Sequence, residues 1–305
     1  MKLLFIGGPP RSGTTALADY LNQHPELLVC MERYKWVPPH EIRPELFTFE
    51  RILDYRPSFR GDRPETNTPQ EHHVALLAGK DPERLSWIGD KTPAYVEQLR
   101  WLSENNPGAS FILTYRPLED VAESFEARSK DPEDPWLFGG FEAGVEQWNA
   151  AMKSTRNFVK SAMNLNVLIL SYHDFFYDNQ AVIPLLSRFL DIEIDQSTQD
   201  AWMRMSRGFE ARRRTKEALS GEMLAYIEAN KNEAAERWVL DYIRRQRQEL
   251  ELYPPEAAHA LVEERRLSAG RIAKERARSR SLKQEVEALR ARTRDLEQQL
   301  QNMRS

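Results

Sequence analysis

The chain has 305 residues, 41% of them apolar and 30% charged, with a formal net charge of −4. That length accommodates one large α/β domain or a domain with an extension, and the excess of charge points to a highly charged appendage on a globular core. The acidic balance argues against a dedicated nucleic-acid binder; Cys30, the sole cysteine, rules out an intramolecular disulfide and Cys-cluster metal sites.

The six histidines form no H-x-x-x-H or H-E-x-x-H pattern, so no metal is expected. No run of ~20 apolar residues is available for a transmembrane segment. The apolar N-terminal run ends at Gly7, short of a signal-peptide core. A single thiol fits a reducing compartment, and the expected location is cytoplasmic.

Leu3-Leu4-Phe5-Ile6 reads as a first strand, followed by Gly8-Pro9-Pro10-Arg11-Ser12-Gly13-Thr14-Thr15 and an amphipathic helix from Ala16. Strand, glycine-bearing loop and helix present backbone N–H groups to a phosphate. Gly8 and Gly13 keep the G-x-x-x-x-G frame of a phosphate loop, but Thr14 stands where a nucleoside-triphosphate loop has its lysine. The loop is therefore read as built for a phosphate but not for a triphosphate.

Leu27 to Cys30 reads as a second strand, and Glu32 just beyond it is either a catalytic carboxylate or a surface charge. Residues 38–70, rich in Pro and charge, resemble a lid more than core. Trp87-Ile88-Gly89 is a brief strand that leads to Lys91, and Pro93 opens a helix expected over 93–104. Ser110 to Tyr115 is the clearest strand, its continuous apolar character suiting a parallel strand buried on both faces. Arg116 follows it, then a helix over 118–129 and a long helix over 141–163. Val167 to Leu170 is another buried strand, followed by Tyr172 and a short helix over 182–190.

This alternation predicts an α/β fold, a P-loop-like three-layer sandwich on a central parallel sheet. Ligands of such sheets bind outside the carboxyl ends of the strands. The Gly8 loop, Glu32, Lys91, Arg116 and Tyr172 all follow predicted strand ends, which defines one crevice. Residues 197–250 read as helical and charged. The basic run from Arg207 to Lys216 is a solvated face or a ligand-lining loop. Tyr253-Pro254-Pro255 closes a first domain, expected over 1–254. In 255–305, Leu282, Val286, Leu289, Leu296, Leu300 and Met303 form a heptad seam, the expected C-terminal helix and short coiled coil of a homodimer.

Taken together, Arg11-Ser12-Gly13-Thr14-Thr15 after the first strand, Asn22-x-His24-Pro25, Lys91-x-Pro93-x-Tyr95 and the Arg116-x₇-Ser124 spacing resemble sulfotransferases that use PAPS (3′-phosphoadenosine 5′-phosphosulfate). The branch with tyrosylprotein and heparan sulfate sulfotransferases and their bacterial relatives is the most similar, over about residues 1–192. The resemblance implies that Arg11 to Thr15 wrap the 5′-phosphate and that Arg116, Ser124 and Arg128 hold the 3′-phosphate. Ser124 and Arg128, four apart, share a helix face. Tyr172 approaches the nucleotide in relatives, or is a half-buried core tyrosine here. Glu32 resembles the general base, with Arg11 and Lys91 stabilising charge on the leaving oxygen and the sulfuryl group.

The function expected is sulfuryl transfer from PAPS, without a metal, to a hydroxyl of a glycan, lipid-linked sugar or small molecule. Trp36, Phe47, Phe59, Trp136 and Phe138 are loop aromatics that either stack on a sugar or, as is commoner, anchor their loops locally. The alternatives are an atypical P-loop kinase or NTPase and a non-catalytic assembly module acting through the coiled coil.

Overall fold

A computed structural model describes residues 1–54, 56, 75–134, 139–161, 166–177, 179–213 and 219–249. Contacts divide the chain into Met1–Leu250 and Glu251–Ser305. The expected coiled coil lies outside the described residues.

Five strands form one parallel sheet: β1 (Lys2–Gly7), β2 (Leu27–Met31), β3 (Trp87–Lys91), β4 (Ser110–Tyr115) and β5 (Asn166–Ser171), in the order β2-β3-β1-β4-β5. Every residue of β2, β3 and β4 is buried. A strand buried on both faces leaves no polar side to read, which is why these segments appear in the sequence as unbroken apolar runs. The order places β1 at the centre, with chain excursions to β2 and β3 on one side and to β4 and β5 on the other. The crevice predicted for such a reversal opens at the carboxyl ends of β1 and β4.

Helices cover both faces. α1 (Thr14–Leu21) packs on the sheet beside α7 (Gln196–Arg213). On the other face lie α2 (Leu99–Asn105), α3 (Leu118–Ser129) and α4 (Phe141–Ser161). α5 (Tyr172–Tyr177) and α6 (Asn179–Leu190) follow β5; α8 (Gly221–Asn230) and α9 (Glu233–Glu249) close the described chain. No helix among the described residues is long and apolar enough to cross a membrane.

Both sheet edges are closed by a side-chain amide that imitates a neighbouring strand. On β2, Asn22 accepts from the Val29 N–H and donates to its carbonyl, each at 2.8 Å. On β5, Gln246 of α9 accepts from the Ile169 N–H at 3.0 Å and donates to its carbonyl at 3.5 Å. Such caps occupy backbone groups that would otherwise pair with another chain.

Two expectations change. Residues 93–104 are a tight 3₁₀ segment, Pro93–Glu97, and then α2, broken at Gln98. The tighter turn lets the Pro93 carbonyl accept from the Gly8 N–H at 3.2 Å and seats Tyr95 and Val96 against Gly7. The first part of the supposed lid is core: Ile42, Phe47 and Ile52 are buried, and Phe47 meets Phe5 of β1 edge-on at 5.3 Å. Phe47 is therefore an internal anchor, whereas Trp36 is exposed. Phe59, Trp136 and Phe138 lie outside the described residues.

The last described helix, α9, is tied to α5. Arg247 of α9 ion-pairs with Asp174 of α5, whose carboxylate is buried. Breaking such a pair from one side strands the other charge. Arg247→Ala is expected to lower stability by about 3 kcal/mol, read as a lower urea midpoint at unchanged slope.

Candidate active site

β1 delivers the phosphate loop to the centre of the crevice. Gly8 leaves the strand so close to β4 that a Cβ there would sit 2.1 Å from Thr114 Oγ1. Buried Ser12 donates its hydroxyl proton to the Pro9 carbonyl at 2.5 Å and lies 2.5 Å from Thr114 Oγ1. Ser12 thus closes the loop and pins it to β4. Gly13 caps α1 in the left-handed region at φ 89°, with Tyr172 packed where a side chain would start. Thr14 and Thr15 open α1, and the N–H groups of that first turn have no intrahelical acceptor. They face the loop's concavity with the positive end of the helix dipole.

Arg11 is held in the left-handed region at φ 70°, unusual for a non-glycine residue. Its carbonyl accepts from Arg116 Nη1 at 2.7 Å and its Nε donates to Ser124 Oγ at 3.0 Å. Arg116, at the end of β4, lies 4.1 Å over the Tyr172 ring, and its carbonyl accepts from Trp148 Nε1 at 2.8 Å. Asp120 lies 3.8 Å from Arg116 and 3.0 Å from His173 Nε2. One turn after Ser124, Arg128 makes a two-pronged pair with Asp134. Arg11 reaches the surface, yet the protein crowding its guanidinium, and then the charges of Arg128 and Arg116, push its pKa down to about 10. It stays a cation at neutral pH inside a cluster of three guanidinium groups. Crowded positive charge of this kind is stabilised by a multiply charged anion.

The second cluster faces the other side of the loop. Glu32 follows β2 at φ 57°, held there by its N–H on the Lys91 carbonyl at 2.7 Å. Lys91 Nζ, almost fully buried, donates to Glu32 Oε1 at 2.9 Å and to Thr15 Oγ1 at 3.0 Å. Lys35 Nζ donates to Glu32 Oε2 at 3.2 Å. Burial alone would raise the Glu32 pKa; Lys91, by charge and hydrogen bond, and then Lys35 outweigh it and hold the carboxyl below its ordinary range.

Beneath this cluster, fully buried Asp90 accepts from the N–H groups of Arg33 and Tyr34 and from the Thr92 and Tyr95 hydroxyls. Burial pushes its carboxyl above the usual range in spite of those donors. Asp90 thereby fixes the turn that presents Glu32.

A family model described as the sulfotransferase family matches residues 4–196. The chain belongs to the sulfotransferase family. It is 26% identical over 206 residues to protein-tyrosine sulfotransferase A of Caenorhabditis elegans, covering 63% of this chain and 50% of that protein. It is 24% identical over 198 residues to protein-tyrosine sulfotransferase 1 of Danio rerio, covering 63% and 54%. The chain thus spans about half the length of the curated relatives it matches. The crystal structure of a sulfotransferase from Alicyclobacillus acidocaldarius shares the fold, with a TM-score of 0.51 at 17% identity over 80% of this chain and 96% of that one.

The matched span contains every candidate cofactor-binding and catalytic residue of the sequence, from Arg11 to Tyr172. The structure gathers Arg11, Arg116, Ser124, Arg128 and Tyr172 on one side of the loop and Thr15, Glu32 and Lys91 on the other. Arg11 sends its guanidinium toward Ser124, and the lysine at the loop's threonine is Lys91, contributed by β3 in place of the one missing after Gly13. The side chains of 207–216 are outside the described residues. Lys35, Thr114, Asp90 and Asp134 escaped the sequence reading. Asp90 adjoins the predicted strand Trp87–Gly89 and extends it in the structure as part of β3.

Proposed function

We propose that this protein transfers a sulfuryl group from PAPS to an acceptor hydroxyl. The observation that carries the reading is Arg11. It is the one residue shared between the phosphate loop and the Arg116–Ser124–Arg128 group, so two anion-binding surfaces stand side by side, as a nucleotide phosphorylated at both 5′ and 3′ positions requires. When bound, PAPS supplies the activated sulfuryl group and its leaving phosphate. Thr14, Thr15 and the first turn of α1 would hold the 5′-phosphate; Arg116, Ser124 and Arg128 would hold the 3′-phosphate; Tyr172 would lie between.

Glu32 is the proton acceptor in this reading. It is ionised at neutral pH and stands beside Thr15 through Lys91. Lys91 balances negative charge at the loop, and Arg11 adds to it from the other side. A carboxylate held below its usual range is a weak base. It takes the proton of a phenol, pKa ~10, far more readily than that of a sugar hydroxyl. The curated relatives carry protein-tyrosine sulfotransferase in their names, which also favours an aryl hydroxyl over the glycan or lipid-linked sugar among the expected acceptors. Exposed Trp36, with Lys35 Nζ 5.4 Å above its ring, offers an aromatic face next to Glu32.

Two measurements test the reading. Adenosine 3′,5′-bisphosphate should raise the melting temperature more than ATP with Mg²⁺; the reverse order would replace sulfuryl transfer by a kinase or NTPase activity. Labelled sulfate should pass from PAPS to a tyrosine-containing peptide or a simple phenol in preference to a sugar alcohol.

A further inference from the structure

Arg128 does not wait with a free guanidinium. Its Nε donates to Asp134 Oδ2 and its Nη2 to Asp134 Oδ1. This is the parallel fork by which arginine also grips a phosphate. Asp134 acts on the rest of the cluster as well: among the charges around Arg11 it favours the cation, opposing Arg116 and Arg128. A carboxylate therefore stands in a three-guanidinium group that the proposed function gives to the 3′-phosphate. Asp120 differs, since it stays 3.8 Å from Arg116 and is shared with His173.

The turn that carries Asp134 has hydrogen bonds of its own. The Asp131 N–H bonds to the Arg128 carbonyl and the Asp134 N–H to the Asp131 carbonyl, each at 3.2 Å; the Glu133 N–H bonds to Asp131 Oδ1 at 3.0 Å. Both members of the ion pair lie at the rim, with side chains 29% and 17% exposed. The Asp134 side chain can swing away while the turn remains.

We propose that Asp134 is an exchange residue: it holds Arg128 between turnovers, yields it to the 3′-phosphate and takes it back as adenosine 3′,5′-bisphosphate departs. The inference rests on the reading of Arg128 as a 3′-phosphate ligand. A phosphate, with a charge of about −1.5 to −2 and three acceptor oxygens, displaces a singly charged carboxylate. The displacement lowers apparent affinity by the fraction of protein in which Arg128 is open; nine-tenths closed gives about a tenfold weaker Kd. Product release limits many enzymes, so a residue that competes with the product for its own ligand raises the release rate.

The test is calorimetric titration of the wild type, Asp134→Asn and Asp134→Ala with adenosine 3′,5′-bisphosphate and with adenosine 5′-monophosphate, which lacks the 3′ group. Both variants should bind the bisphosphate about tenfold more tightly and the monophosphate as the wild type does. Their kcat should fall as release slows, and inhibition by added bisphosphate should strengthen. Unchanged or weaker bisphosphate binding, equal tightening toward both nucleotides, or failure of both variants to fold would each overturn the exchange role. A wild type that does not prefer the bisphosphate to the monophosphate would instead overturn the 3′-phosphate site itself.

Discussion

Glu32→Gln is expected to lower kcat by about 10²–10⁴-fold, the range for loss of a positioned general base, with the Kd for adenosine 3′,5′-bisphosphate within about threefold of wild type, well under 1.4 kcal/mol. Gln has the size of Glu and its one carbonyl oxygen can still accept from Lys91, at the loss of the Lys35 contact, while the turn is fixed separately by Asp90 and should persist. The left-handed backbone at Glu32 belongs to the same argument. A non-glycine residue there costs of order 1–3 kcal/mol and persists only where its surroundings over-determine it. At Glu32 they do so through the Lys91 carbonyl and through Asp90, which accepts from the next two backbone N–H groups. Single-turnover kinetics and calorimetry on one preparation separate the outcomes. A variant that turns over normally, or whose main defect is nucleotide binding, would remove Glu32 from the role of base.

Much of this site could be read in the sequence because its determinants are local. β2, β3 and β4 are buried on both faces and appear as apolar runs; the glycines at 8 and 13 keep a fixed frame; Ser124 and Arg128 share a face through helical spacing alone. The remainder depends on approach through space. Lys35 reaches Glu32 across a loop with no period, and Asp134 reaches Arg128 around a turn. Phe47 lies in a stretch whose proline and charge content hides three buried side chains, Ile42, Phe47 and Ile52. The direction of Arg11 follows from a backbone angle of 70° that a non-glycine residue seldom adopts. The same limit applies to Gln246 and Arg247: the segment they occupy reads only as helical and charged, and the sequence does not show that it closes the β5 edge and pairs with buried Asp174.

Lys91→Met should distinguish the two charges at the heart of the site. Met fills a similar volume, so the loss is of charge and of two hydrogen bonds, to Thr15 and Glu32. Removing one preorganised electrostatic donor typically costs about 10²–10³ in kcat. The pH profile carries more information than the rate. In the wild type, Glu32 is held below the ordinary carboxylate range, burial opposing and Lys91 and Lys35 prevailing. Activity that requires the ionised carboxylate therefore falls only as the pH drops through that depressed value. Without Lys91, burial faces Lys35 alone, and the acid limb of kcat/KM should move to higher pH. Stability should follow the same sign: a depressed carboxylate contributes above its unfolded pKa and loses that contribution as pH falls through its folded one. Lys91→Met should therefore lose more stability at neutral pH than in acid, where the wild-type pair is itself protonated and broken. Glu32→Gln, in contrast, should abolish the acid limb rather than shift it. An acid limb that stays in place in Lys91→Met would mean that Lys91 does not set the Glu32 charge, and that the base must be sought elsewhere in the crevice.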